Sequence, residues 1–221
     1  MDRKQKLQER LTKVRQELGE TKLVAVTKQT ELEDIELMYF MGQKDFGENR
    51  VESLYERACW AQENGLKDIR WHFIGNLQTN KINKLLKVPH LFAIHSIDSL
   101  RLLSKLVAKL GPEHMELKLF IQIKTSPEDE KSGLEDIDQV REAIDLGRER
   151  VLGLMTMAPI RVEEQESAAR QSFQKLVEWK NELSDPKRPD LQLSMGMSGD
   201  YKQAVKLGSD WVRLGRTLFS S

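Results

Sequence analysis

Eight short apolar runs, each followed by a longer stretch of helical spacing or by the chain's end, leave few folds open to this chain. The runs are Leu23–Thr27, Lys44–Gly47, Trp71–Ile74, Leu91–Ile97, Leu117–Ile123, Val151–Met157, Leu191–Met197 and Trp211–Leu214. Several are apolar almost throughout, as strands covered on both faces must be. Between them the apolar residues recur every three or four positions: Val51, Leu54, Tyr55 and Ala58 share one face, and Ala169, Phe173, Leu176, Val177 and Leu183 another. Strict alternation of this kind predicts either a doubly wound sheet or a barrel. A dinucleotide-binding sheet wants a glycine fingerprint after its first strand, but here that strand runs into Thr27-Lys28-Gln29-Thr30. Eight is the closing number of the parallel barrel, and 221 residues lie near its lower size limit. The expectation is one (β/α)8 TIM-barrel domain over residues 1–221. Thr30 and Ser132, each three residues before a glutamate, have the spacing of capping boxes.

Leu7, Leu11, Val14 and Leu18 extend the helical pattern ahead of the first strand, so an extra N-terminal amphipathic helix is expected. That segment is charged throughout and lacks the apolar stretch of a signal peptide. No apolar run approaches a membrane span. Lysine and arginine balance aspartate and glutamate at 35 each, which disfavours nucleic acid or an anionic membrane as the main partner. The single Cys59 rules out an internal disulfide, and histidines at 72, 90, 95 and 114 show no metal-ligand spacing. A cytoplasmic protein is the expectation.

In such a barrel, binding groups gather where strands end. Lys28 closes the first strand, where partial desolvation would favour a neutral, nucleophilic amine; the alternative is a solvated lysine or a pair with Glu48. Asn49 follows the second strand and could merely cap the helix beginning near Val51. Ser198-Gly199-Asp200, with Ser198 as a helix cap, and Gly215-Arg216-Thr217 follow strands seven and eight, the usual phosphate-binding place of this fold. Arg213 lies between Val212 and Leu214, so it points to the opposite face and needs a partner, either an acid such as Glu48 or Asp98 or a ligand acceptor. His72 and His95 read as hydrogen-bonded core histidines, and the methionines of Leu154–Met157 and Ser194–Met197 as barrel filling.

Taken together, Leu23-Val24-Ala25-Val26-Thr27-Lys28, Phe46-Gly47-Glu48-Asn49-Arg50-Val51-Glu52, the block from Trp71 to Lys81, His95-Ser96-Ile97-Asp98, the block from Ser194 to Asp200 and Val212-Arg213-Leu214-Gly215 resemble the pyridoxal phosphate homeostasis protein family (YggS/PROSC) over nearly the whole chain. The resemblance implies a barrel like the N-terminal domain of alanine racemase, with pyridoxal 5′-phosphate as cofactor. By motif position Lys28 would be the internal aldimine lysine, and Asn49 and Met197 would line the cofactor. Arg213 would meet the pyridine nitrogen, and Ser198 with backbone groups of Gly215, Arg216 and Thr217 would hold the phosphate. Arg216 stands where the family often has a small residue, and Ser220 where a glycine commonly follows the aromatic.

Racemisation on this cofactor needs an acid–base group on each face of the substrate's α-carbon. Alanine racemase is known to take one, a tyrosine, from another domain of a partner subunit. The tyrosines of this chain, Tyr39, Tyr55 and Tyr201, all fall in helical segments. An arginine at the pyridine nitrogen would also weaken the ring as an electron sink. The expectation is therefore a monomeric cofactor carrier, with apo-enzymes as recipients. A low-rate amino-acid racemase and a cofactor-free Schiff-base aldolase are the rivals.

Overall fold

Pairing between the first and last strands closes the sheet on itself. The computed structural model describes residues 2–126, 132–159, 165–186 and 190–220. Strands β1 (Lys22–Val26), β2 (Asp45–Glu48), β3 (Arg70–Phe73), β4 (Leu91–Ile97), β5 (Lys118–Gln122), β6 (Val151–Met155), β7 (Gln192–Met197) and β8 (Trp211–Leu214) are all parallel and follow one another around a closed barrel. Leu23 opposes Val212 and Ala25 opposes Leu214 at the closing seam. All eight expected strands are present, with ends shifted by no more than two residues.

Helices cover the outside: α1 (Arg3–Leu18), α2 (Leu32–Phe40), α3 (Val51–Glu63), α4 (Ile82–Leu85), α5 (Leu100–Val107), α6 (Ile137–Gly147), α7 (Gln165–Glu182), α8 (Tyr201–Lys206) and α9 (Arg216–Phe219). The additional helix α1 is capped reciprocally by Asp2 and Gln5, which satisfies donors its first turn would otherwise leave free. Its Leu7, Leu11, Val14 and Leu18 are buried, as their spacing predicts. Arg3 donates to Asp34 and to the carbonyl of Phe219, so α1 ties α2 to the end of the chain.

The expected caps at Thr30 and Ser132 are not formed. Helix α2 starts after Glu31, which makes no side-chain cap bond, while the Thr30 carbonyl accepts from Arg57. Ser132 instead accepts from the Gln122 amide, and Asp136 caps α6. In both places the helix starts later than the local spacing predicts, after Glu31 and after Asp136.

Strand alternation sorts the core into two layers. Leu23, Ala25, Val212 and Leu214 pack outward against the helices, whereas Val24 and Trp211 turn inward with Ala93, Phe120 and Met155. Val24 opposes Arg213 across the seam, and Arg213, two residues beyond inward-facing Trp211, turns into the same interior. On β7 the pairing with β8 slips between Ser194 and Met197, a bulge in which Gly196 adopts φ 97°. A side chain there would strike the Ala204 methyl at 2.6 Å, so glycine is required both by conformation and by space.

Candidate functional site

The carboxyl ends of β1, β2, β7 and β8 bring most of the singled-out residues to one end of the barrel. Lys28 lies just past β1, whose Val26 pairs with Gly47 of β2. It is solvent-exposed, so the desolvation expected for it is not supplied by the protein itself. Nor does it pair with Glu48. That carboxylate is buried at 1% exposure and bonds to Thr27 Oγ1 at 2.6 Å and Arg57 Nε at 3.1 Å. Burial pushes the Glu48 carboxyl up, and Thr27, Arg57, the Asn49 backbone and the Lys28 charge act against it. Thr27, Glu48 and Arg57 thus form a polar support beside Lys28. The sequence offered no sign of it, because Arg57 reaches in from mid-α3.

Asn49 is exposed and does not cap α3, which begins after Arg50 without any side-chain cap bond. Its backbone is pinned by contact with Gly75: a Cβ on that glycine would sit 1.9 Å from the Asn49 carbonyl oxygen. The turn carrying Asn49 therefore depends on a residue without a side chain following β3.

Across the closing seam, the turns after β7 and β8 meet. Thr217 donates its backbone N–H to Ser198 Oγ at 3.2 Å. Ser198 is thus not the cap of α8; Asp200 occupies that position and accepts the Met197 N–H at 2.5 Å. Among the described residues, no group accepts from the N–H groups of Ser198, Gly199, Gly215 or Arg216. The two turns therefore gather one hydroxyl and several unengaged backbone donors, a set suited to an anion. Arg216 is exposed, which leaves its main-chain N–H as the group that can serve here. A cleft of about 410 Å³ opens on Ser198 and Gly199 between Gln165 and Lys202, and Lys28 does not line it.

Met197, half-buried, pairs with Arg213 in the ladder just past the bulge. Arg213 is 4% exposed and donates to Ser194 Oγ at 2.5 Å and the Thr156 carbonyl at 2.9 Å. Neither Glu48 nor Asp98, the acids the sequence suggested, is its hydrogen-bond partner. Burial lowers Arg213 to about 10, opposed by the charge of Asp200, so it remains a cation at neutral pH. Ser194 and Thr156 lie in the runs whose methionines read as barrel filling, and neither was singled out by the sequence. Strand parity, which places Ser194 inward, was the available signal.

Behind Ser194 the interior holds a polar chain. His95 Nδ1 lies 2.8 Å from Ser194 Oγ, His95 Nε2 2.9 Å from His72 Nδ1, and His72 Nε2 2.9 Å from Asp45 Oδ1. Both histidines are completely buried, as their apolar strands predicted. No cluster of metal-ligating side chains occurs among the described residues, and none of their helices is long and apolar enough to cross a membrane.

The profile of the alanine racemase N-terminal domain family matches residues 3–221. The chain is 35% identical to the pyridoxal phosphate homeostasis protein of Schizosaccharomyces pombe, over 90% of this chain and 83% of that one. The human protein of the same name is likewise 35% identical, over 90% and 75%. PipY of Synechococcus elongatus without PLP superposes with a TM-score of 0.85 at 33% identity, over 97% of this chain and all of PipY; the PLP-bound form gives 0.79.

Proposed function

The chain belongs to the pyridoxal phosphate homeostasis proteins, built on the alanine racemase N-terminal domain, and from that premise we propose that it carries pyridoxal 5′-phosphate at the barrel mouth. The hydrogen bond between Ser198 and Thr217 is the main support for this reading. It draws the turns after β7 and β8 into one cradle of unengaged donors, at the end of the two strands that carry Ser194 and the buried Arg213 guanidinium. A dianionic phosphate and a neutral ring nitrogen fit that donor set, the first at the cradle and the second at Arg213. When bound, the cofactor supplies an aldehyde that the Lys28 amine can hold covalently. Asn49 and Met197 would flank the ring, while Ser198 and the N–H groups of Gly215 and Arg216 would hold the phosphate, joined by the Thr217 N–H where it turns from Ser198 Oγ to the anion.

A carrier fits the surroundings better than an efficient racemase. Lys28 is open to solvent, which suits exchange of the cofactor with recipient apo-enzymes. Tyr39 and Tyr55 lie within α2 and α3, and Tyr201 begins α8. The Tyr201 hydroxyl is committed to Glu17, and burial with that carboxylate pushes it up to about 12, beyond use as a base near neutrality. Arg213 stays a cation at neutral pH and can only donate, so it would favour an unprotonated, accepting ring nitrogen. The test is chemical: borohydride treatment of the loaded protein, then peptide mapping. The cofactor should be fixed on the peptide containing Lys28; an adduct on Lys22 or Lys44 would overturn the assignment.

A further inference from the structure

The barrel interior contains an unbroken line of polar groups that no cofactor contact explains. It runs from Arg70 and Asp45 near the amino end of the barrel, through His72, His95 and Ser194, to Arg213. Its proton arrangement follows from the two ends. His72 and Arg70 hold the Asp45 carboxyl below its usual range despite burial, so it is an acceptor. His72 must therefore donate through Nε2, which leaves Nδ1 as an acceptor for His95 Nε2–H. His95 Nδ1 then accepts from the Ser194 hydroxyl, whose oxygen accepts in turn from Arg213 Nη1. Because the ionised Asp45 can only accept, the histidines cannot reverse without setting the lone pair of His72 Nε2 against the carboxylate. Both histidines are neutral in this arrangement. Burial drives both imidazoles toward the neutral form, and for His95 the neighbouring Arg213 cation adds to it.

The line does two things for Arg213. Its aligned dipoles turn their negative ends toward the cation and their positive ends toward Asp45, which offsets part of the cost of burying a guanidinium between neutral partners. It also restricts Ser194: a hydroxyl whose proton is committed to His95 turns its lone pairs away from that ring, and Arg213 Nη1 docks on that side. His95 is itself clamped by stacking on Phe120, with ring centroids 4.3 Å apart.

We propose that Ser194 and His95, backed by His72 and Asp45, are positioning residues that hold the Arg213 guanidinium in register with the cofactor's ring nitrogen. The proposal rests on the cofactor-binding reading above, and two measurements keep their failures apart. In the ligand-free protein, imidazole ¹⁵N–¹H correlation spectra should show His72 and His95 as neutral Nε2–H tautomers at pH 7.5. A protonated or Nδ1–H form at either position would overturn the proposal whatever ligand binds. In the second measurement, wild type and Ser194→Ala are titrated with pyridoxal 5′-phosphate and with its 1-deaza analogue, in which C–H replaces the ring nitrogen. Wild type should prefer the natural cofactor by roughly ten- to a hundredfold, the range of a hydrogen bond to a charged donor. Ser194→Ala should cut that preference to about threefold or less while binding the analogue as wild type does. Equal weakening of both ligands, with the preference kept, would show Ser194 to be merely structural and sink the proposal. Should Ser194→Ala lose the native circular dichroism, the near-isosteric Ser194→Cys serves the same comparison. If wild type binds neither ligand, the functional reading itself fails.

Discussion

Mild acid should destabilise this protein through the two buried histidines. Unfolded, each imidazole takes up a proton below its ordinary value of 6.5; folded, both are held lower, His95 well below. Protons are then bound preferentially by the unfolded chain, so the stability is fully present above pH 6.5 and is lost as pH falls. Each such group removes up to roughly 1.4 kcal/mol per pH unit, giving a ceiling of about 4 kcal/mol for the pair by pH 5. His72 contributes the smaller share, because Asp45 opposes the effect of its burial. A loss of that size is a large fraction of the 5–15 kcal/mol, roughly, that holds a domain together. Asp45, held below 3.8, adds a loss of the same sign at still lower pH. Urea unfolding at pH 7.5, 6.5, 5.5 and 5.0, followed by tryptophan fluorescence, measures the slope directly. His95→Gln should remove about half or more of the pH dependence. An unfolding midpoint unchanged between pH 7.5 and 5.0 would refute the reasoning, as would His72 or His95 resonances of the native protein titrating near 6.5.

Ser198→Ala should weaken cofactor binding roughly ten- to a hundredfold by fluorescence titration, since it removes a hydroxyl to the phosphate and the bond that gathers the two turns. Pyridoxal lacking the phosphate should bind more weakly still, and equal binding of the two would contradict the cradle. Gly75→Ala should cost about 1–3 kcal/mol, because its Cβ cannot sit 1.9 Å from the Asn49 carbonyl oxygen without moving the turn; thermal unfolding that matches wild type would count against it. Incubation of the loaded protein with L-alanine in deuterated water should shift its absorption spectrum with little α-deuterium. Fast incorporation with formation of the D-isomer, at roughly 1–10³ s⁻¹, would identify an efficient racemase.

The strands were legible because their signal is local: a barrel strand buried on both faces must be apolar, and Leu23–Val26 or Leu117–Ile123 can hardly be anything else. Parity also put Arg213 on the inner face correctly. Caps were less legible. Thr30 and Ser132 had suitable spacing, yet α2 starts after Glu31 and α6 after Asp136, and donors from elsewhere in the fold bind the Thr30 and Ser132 carbonyls. The same applies to Arg213: its partner is neither acid the sequence offered, but a serine 19 residues upstream on the neighbouring strand. His95 and Ser194 are 99 residues apart, on strands that do not pair, so no local pattern could connect them. Lys28 was placed at the right strand end, yet its exposure depends on how neighbouring loops leave room, which composition does not encode.

Closure of the ring has a consequence for how the chain folds. The partner of β1 on its open side is β8, and α1 is fastened to the carbonyls of α9 through Arg3, across 216 residues of intervening chain. Such contacts carry the largest loop-closure cost in the molecule. Helix α1 can meet α2 early, through Arg3 and Asp34, but its contact with α9 depends on the last strand. The turn from Gly215 to Thr217 lies between β8 and α9, so the donors it gathers come together only with the final seam. A folding intermediate that has assembled β1 to β7 has nearly a whole barrel and no cradle. Capture of an anion there reports completion of the fold, and an anion bound there, by mass action, would draw the last seam shut.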